Sequence, residues 1–220
     1  MNCGFREQLK FLHAITILVF MCANYAEWDE YYRKYPLSEL GWELGKPRSL
    51  LVEFVEKGLV GKGTALDLCC GAGTNTIYLA KNGFEVTGLD ISLTALEIAK
   101  KKAERANVNI DFLADSFVNL PFKNETFHFV FDMGCFHHVK IEDRDAFIAG
   151  VYRVLKEDGL YMLTCFSFKN GAAWNHFTKQ NIIDLFGCFF EFELMRHVSS
   201  LEGDGVTRFF YTALMRKKRK

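Results

Sequence analysis

The sequence predicts a doubly wound α/β fold with a mainly parallel sheet of seven strands that ends in an antiparallel hairpin. Three observations predict it. From residue 64 onward, short β-type apolar runs alternate with windows of helical periodicity. Gly71-Ala72-Gly73 falls between the first such run and the first such window, where a tight strand-to-helix turn belongs. After residue 178 the alternation stops, and two strand-like runs flank a polar loop, as in an antiparallel return.

Taken in order, residues 64–69 read as a strand, 75–81 as a helix, 84–89 as a strand, and 92–105 as a helix with Ser92 at its cap. Residues 109–114 and 127–133 read as strands and 143–155 as a helix. Residues 160–166 read as a strand entered through the turn Asp158-Gly159. A helix through Phe186 leads to strands at 189–197 and 207–215, with 199–205 as the loop between them. Residues 24–60 hold Trp28, Trp42 and many tyrosines, and are expected as helices across the carboxyl edge of the sheet, where ligands of such folds bind. The chain therefore divides into a helical cap or lid, 1–60, and a ligand-binding domain, 61–217.

Composition narrows the function. The 220 residues are 50% hydrophobic and 25% charged, with 27 basic against 27 acidic side chains. This suits one globular domain able to bury about 70% of its unfolded surface. Neutral balance excludes a nucleic-acid partner held by bulk charge. Twenty-two phenylalanines imply a large aromatic core or a greasy pocket. The seven cysteines are odd in number and contain no C-x-x-C pair, so neither a disulfide framework nor a zinc ribbon is indicated, and a reducing compartment fits. The basic tail 216–220 reads as a solvated chain end.

The chemistry concentrates at strand ends. Asp67 precedes the turn containing Gly71 and Gly73, glycines that let the backbone approach a bound nucleoside. Asp90 ends the second strand, placed to accept from both hydroxyls of a ribose. A dinucleotide fold would have a third glycine to seat a pyrophosphate on the helix N-terminus, but that position is Thr76. The carboxylate of Asp67 would repel a pyrophosphate and welcome an ammonium. S-adenosyl-L-methionine carries an amino acid in place of the pyrophosphate.

The stretch D-L-C-C-G-A-G-T-N-T-I-Y-L-A, followed by G-F-E-V-T-G-L-D-I-S, resembles the first two motifs of the class I S-adenosylmethionine-dependent methyltransferases, which share a Rossmann-like fold. W-D-E-Y-Y-R, G-W-E-L-G-K-P and D-M-G-C-F-H-H-V are similar to the small-molecule branch that includes thiopurine and tellurite-resistance methyltransferases. The resemblance covers residues 28–217 and implies a transferase for small-molecule methylation. It implies that Gly71 and Gly73 line the methionine part of the cofactor, with Asp67 near its ammonium. Asp90 would hold the ribose, Ile91 would pack on the adenine, and Asp115 and Ser116 would meet the adenine amino group and ring. Met133 and Gly134 would border the sulfonium, and Trp28 and Trp42 would form part of a lid. The family usually has glycine where this chain has Cys69, and a side chain there narrows the loop.

Each residue also has a plainer role open to it. Asp67 and Asp90 could cap the helices that follow, Asp115 could serve a turn, and Trp28 and Trp42 could belong to the core. His137 and His138 follow the fourth strand, where either could accept a proton from the incoming nucleophile or simply bond a loop carbonyl. Adjacent side chains point different ways, so one of the two at most is expected to face the cofactor. A metal site needs more ligands than this pair, and none is expected. Cys69 and Cys70 are expected to act as small apolar residues.

The acceptor pocket is expected between residues 24–46, the loop after His138 and residues 166–174, with Phe136, Phe166, Phe168 and Trp174 as its walls. That surface is aromatic and weakly charged, which points to a small, fairly apolar acceptor: a thiol, selenol, amine or similar. Two rival functions use the same sheet. One is a nicotinamide-dependent oxidoreductase, and the other a cofactor-binding protein without turnover that is attached to a membrane through its first helix. Residues 11–23 are nearly unbroken apolar and too few to span a bilayer. They are expected as an extra N-terminal helix rather than the core of a secretion signal, because the cosubstrate is cytosolic, which makes the protein cytoplasmic.

Overall fold

The computed structural model describes residues 25–219. The apolar run 11–23 lies outside them. Helix α1 (Tyr25–Lys34) and α2 (Ser49–Glu56) precede β1 (Thr64–Leu68), α3 (Thr74–Lys81), β2 (Glu85–Asp90), α4 (Leu93–Arg105) and β3 (Asp111–Ala114). Then come β4 (Phe127–Met133), α5 (Arg144–Val154), β5 (Leu155–Phe166), α6 (Lys179–Phe186), β6 (Phe190–Leu201) and β7 (Thr207–Lys217). The seven strands form one sheet in the order β3-β2-β1-β4-β5-β7-β6. Only β7 runs antiparallel to its neighbours. The chain reverses its winding direction between β1 and β4, which opens a crevice at their carboxyl ends.

Burial explains the two layers. The central strands are apolar on both sides, as a parallel sheet covered on both faces requires. Leu51 and Phe54 of α2 and Leu79 of α3 pack on one face with Phe129 and Phe131. Phe147, Ile148 and Val151 of α5 and Ile182 and Phe186 of α6 pack on the other with Val130 and Tyr161. Helix α2 thus covers a sheet face and does not lie across the edge, because its Leu51 and Phe54 are spaced three residues apart on one apolar side.

Two boundaries and one cysteine role depart from the sequence reading. Strand β5 begins at Leu155, directly after α5, and pairs there with Phe127; the expected turn at Asp158-Gly159 is an interruption within it, with Asp158 at φ 57°. Strand β6 runs on to Leu201, so the expected loop shrinks to residues 202–206. Cys69 and Cys135 are joined by a disulfide, with Cα atoms 5.5 Å apart. That corrects the expectation of a small apolar role for Cys69. Counting cysteines treats them as a set, whereas the β1-β4 neighbourhood brings together one pair 66 residues apart.

The segment between α1 and α2 and the tip of the β6-β7 hairpin meet over the carboxyl edge. The guanidinium of Arg48 donates to both carboxylate oxygens of Glu202, at 2.7 and 2.9 Å, and to the Trp42 carbonyl at 3.0 Å. The Gly203 amide donates to the Gly41 carbonyl at 2.7 Å. Below, the Arg48 amide donates to Asn75 and the Thr74 hydroxyl to Glu43, fixing the segment to the start of α3. The Arg48 and Glu202 side chains are 12% and 3% exposed, so removing one partner strands the other charge. Arg48→Met is expected to destabilise the protein by about 3 kcal/mol or more. Adding Glu202→Leu should recover much of that loss. Urea denaturation of the two variants checks both outcomes.

Candidate active site

One cavity occupies the crevice at the carboxyl ends of β1, β2 and β4, with about 1140 Å³ of empty space, part of it open to solvent. At one end lie Asp90, Ile91, Met133, Gly134 and Phe117. At the other, Trp28, Tyr31 and Trp42 from the lid face Phe166 and Phe210 from the sheet. His137 and His138 line it together, because they sit on a tight 3-10 turn, Phe136–His138, which turns both rings inward.

Asp90 is the structural centre of the first end. Its carboxylate is buried and accepts the Gly71 amide at 2.8 Å on one oxygen and the Ser92 amide at 2.9 Å on the other. Burial raises its pKa, against these amide bonds. The Ile91 backbone also helps to hold the carboxylate charge, so part of its roughly four lone-pair sites is taken by the chain itself. Ser92 caps α4 by accepting from the Ala95 amide, as its sequence position predicts. Its own hydroxyl donates to Asp29 of α1, which also takes the Thr94 amide.

The glycine turn fits closely against the lid. Gly71 has φ 54°, and a Cβ there would lie 2.5 Å from the Tyr32 hydroxyl, which in turn accepts the Trp42 indole N–H at 2.9 Å. Gly73 has φ 75°, and its Cβ would lie 2.8 Å from that of Ala99. Cys69 holds the same left-handed conformation, φ 53°, with a side chain, at a cost on the order of 1 kcal/mol. Glycine would adopt that conformation without this cost.

Asp67 is buried below the turn and accepts the Thr76 hydroxyl at 2.6 Å. Burial, with the nearby Asp90 and Asp132 charges added, pushes its pKa up to about 7 against the Thr76 bond. Asp132 is also pushed up to about 7 by burial, against bonds from the Tyr161 hydroxyl and the Cys135 and Phe136 amides. Those amide bonds fix the turn that carries the histidines.

The structure therefore gathers Trp28, Trp42, Asp90, Ile91, Met133, Gly134, His137 and His138 at one cavity. Asp67, Gly71 and Gly73 support it from behind. Asp115 and Ser116 fall outside its lining: β3 ends at Ala114, and the exposed Asp115 carboxylate takes the Ser116 amide next to it. Three expected acceptor walls are absent from the lining. Phe136 is fully buried in the core, while Phe168 and Trp174 stand outside, 52% and 38% exposed. Their place is taken by Glu202, Asp204, Arg208 and Phe210, reached only because β6 and β7 fold back over the edge. The wall is charged but compensated, since Arg208 grips Asp204 at 2.8 and 2.6 Å and Arg48 grips Glu202.

Such a sheet, glycine turn and strand-end carboxylate define the nucleoside-binding α/β proteins. A methyltransferase-domain family model matches residues 65–159. The chain is 31% identical over 109 residues to an uncharacterized methyltransferase of Schizosaccharomyces pombe, C750.03c, covering 50% of this chain and 75% of that one. It is 29% identical over 126 residues to the 2-heptyl-1-hydroxyquinolin-4(1H)-one methyltransferase of Mycobacteroides abscessus, covering 57% of this chain. Only about half of that relative's length, 55%, is spanned. Other relatives include a protein-lysine methyltransferase. Among solved structures, one described for the conversion of a disulfide bond into a thioacetal group during echinomycin biosynthesis superposes with a TM-score of 0.78 at 20% identity, covering 89% of this chain and 93% of that one. The chain belongs to the class I S-adenosylmethionine-dependent methyltransferases, whose methyl donor is S-adenosylmethionine. The nicotinamide reading is thereby set aside. Among the described residues no group of three or more His, Cys, Asp or Glu could hold a metal ion, and no helix is long and apolar enough to cross a membrane.

The raised carboxyl of Asp67 sets a pH dependence. Its native pKa of about 7 lies above the unfolded value of 3.8, so between the two the native state holds the extra proton. Stability contributed by this group is full below 3.8 and is lost as the pH rises toward 7. Asp67→Asn should therefore gain on the wild type by up to about 1.4 kcal/mol per pH unit across that window and level off above it. Urea denaturation as a function of pH checks the slope.

Proposed function

We propose that the protein transfers the methyl group of S-adenosylmethionine to a small, fairly apolar acceptor, a thiol, selenol, amine or similar. The observation that carries this reading is the single cavity that joins the Asp90 end to an aromatic chamber whose only fixed charges are paired within the wall. Asp90 takes the ribose hydroxyls, and Ile91 and Phe117 border the adenine, while Asp115 and Ser116 stay outside the cavity lining on the loop that supplies Phe117. Gly71 and Gly73 make room for the methionine part, with Asp67 below its ammonium. Met133 and Gly134 face the sulfur.

When bound, the cofactor supplies an electrophilic methyl group on a positively charged sulfur. The chain's own work is to hold the acceptor in line and dry. Positioning of this kind is worth on the order of 7 kcal/mol or more. Trp28 and Trp42 offer aromatic faces that suit a positive charge, and they leave no fixed cation unpaired against it. Residues 25–48 act as the lid, held shut over the crevice by the Arg48-Glu202 pair. The acceptor gains the carbon bond as the carbon-sulfur bond breaks, S-adenosylhomocysteine leaves, and the acceptor's proton passes to water or to His138. A cytoplasmic location, where the donor is made, goes with this reading.

A cofactor-consumption screen over thiols, selenols, metalloid oxyanions and aromatic amines tests the acceptor. Turnover with none of them would support a binding protein instead. Calorimetric titration with S-adenosylhomocysteine tests the cofactor site directly. Asp90→Ala should weaken binding about 100-fold or more, equal to about 2.7 kcal/mol. A variant that binds like the wild type overturns the ribose assignment.

A further inference from the structure

His137 is buried, and its ring lies flat on that of Phe166, with centroids 3.8 Å apart and planes 16° apart. Phe166 in turn stacks on Phe210, its partner across β5 and β7. The sheet therefore fixes the plane of the imidazole. Its rotation is fixed by the Phe166 amide, which donates to Nδ1 at 3.2 Å. A nitrogen that accepts a hydrogen bond carries no proton, so in the neutral ring the proton sits on Nε2. Nε2 has no hydrogen-bond partner among the described residues and stands at the cavity wall beside Gly134, where a Cβ would lie 3.6 Å from it.

We infer that His137 serves the methyl acceptor as a fixed N–H donor, gripping a lone pair next to the atom to be methylated, and not as a base. A base at Nε2 needs its other proton on Nδ1, and Nδ1–H would point at the Phe166 N–H. Protonating the ring forces the same clash. The charged and titratable groups around the ring agree: burial first, then His138 on the same turn, His176 on the loop before α6 and Arg48 from the lid all press its pKa well below the ordinary value. The inference rests on the methyl-transfer reading and deepens it. The favoured acceptors carry a carbonyl or another lone-pair atom beside the nucleophile, and any proton they shed goes elsewhere.

The test is imidazole nitrogen NMR on the full chain loaded with S-adenosylhomocysteine, with His137→Phe to assign the signal. The expected ring is in the Nε2–H form and does not titrate from about pH 5.5 to about pH 8. An Nδ1–H form, or titration in that window, overturns the inference. Methyl thiosalicylate, whose carbonyl adjoins its thiol, should then shift the Nε2–H resonance more than its para isomer does; equal or no shifts overturn the grip on the acceptor. These readouts need no turnover, so they stand apart from the screen for methyl transfer. If His137→Phe does not fold, His137→Gln, which returns an N–H near the Nε2 position, supplies the assignment. Where methyl thiosalicylate is turned over, the Gln variant should recover part of a KM increase of about 10-fold in the Phe variant, with kcat less affected.

Discussion

The buried carboxylate of Asp90 is the constraint on which the site depends. A charge placed there must be satisfied on every side, because a buried anion without partners costs several kcal/mol. The Gly71 amide satisfies it from the loop after β1 and the Ser92 amide from the start of α4. Ser92 then reaches Asp29 of α1, and the Tyr32 hydroxyl of the same helix stands over Gly71. One strand-end group thus ties together the glycine turn, the next helix and the lid. Asp90 also lines the cavity, so the proposed ribose contact would draw on the same group that organises the fold around it.

The lid is held by polar contacts rather than by a greasy seam. Its cluster of Tyr32, Leu40, Ala72 and Ala95 is small beside the two sheet cores, while the Arg48 guanidinium makes three hydrogen bonds, two of them to Glu202 of the hairpin. This division has a chemical consequence. Each guanidinium is matched by a carboxylate at bidentate distance, so the chamber wall has little net field. Aromatic faces are left as its dominant feature toward whatever enters.

Most of the sheet was legible in sequence because parallel strands and amphipathic helices announce themselves locally. The strand β4 and the cap at Ser92 fall where periodicity and residue type place them. The cavity lining was legible where it lies within a few residues of a strand end, as for Asp90, Gly134 and His137. What escaped is long-range. Arg48 meets Glu202 across 154 positions, and Asp29 meets Ser92 across 63. Cys69 meets Cys135 only because β1 and β4 are neighbours. The acceptor wall was misplaced for the same reason: Phe168 and Trp174 follow β5 directly in sequence, yet it is the hairpin, extended by four residues of β6, that bends over the edge.

Three neighbouring strands, β1, β2 and β4, carry a buried carboxyl at or next to their ends: Asp67, Asp90 and Asp132. Each holds a different part, Thr76 of α3, the glycine turn and the histidine turn. Burial raises all three above ordinary carboxylates, with the Asp90 and Asp132 charges adding to the shift of Asp67 and the Asp29 charge to that of Asp90. On the proposed reading, an ammonium near Asp67 would offset part of the cost of burying that carboxylate, so binding would stabilise the loops. The His137 turn lies at the far end of that set, anchored to Asp132. Asp132 fixes that turn through the Cys135 and Phe136 amides, and the Phe166 amide and ring fix the plane and rotation of the imidazole on it.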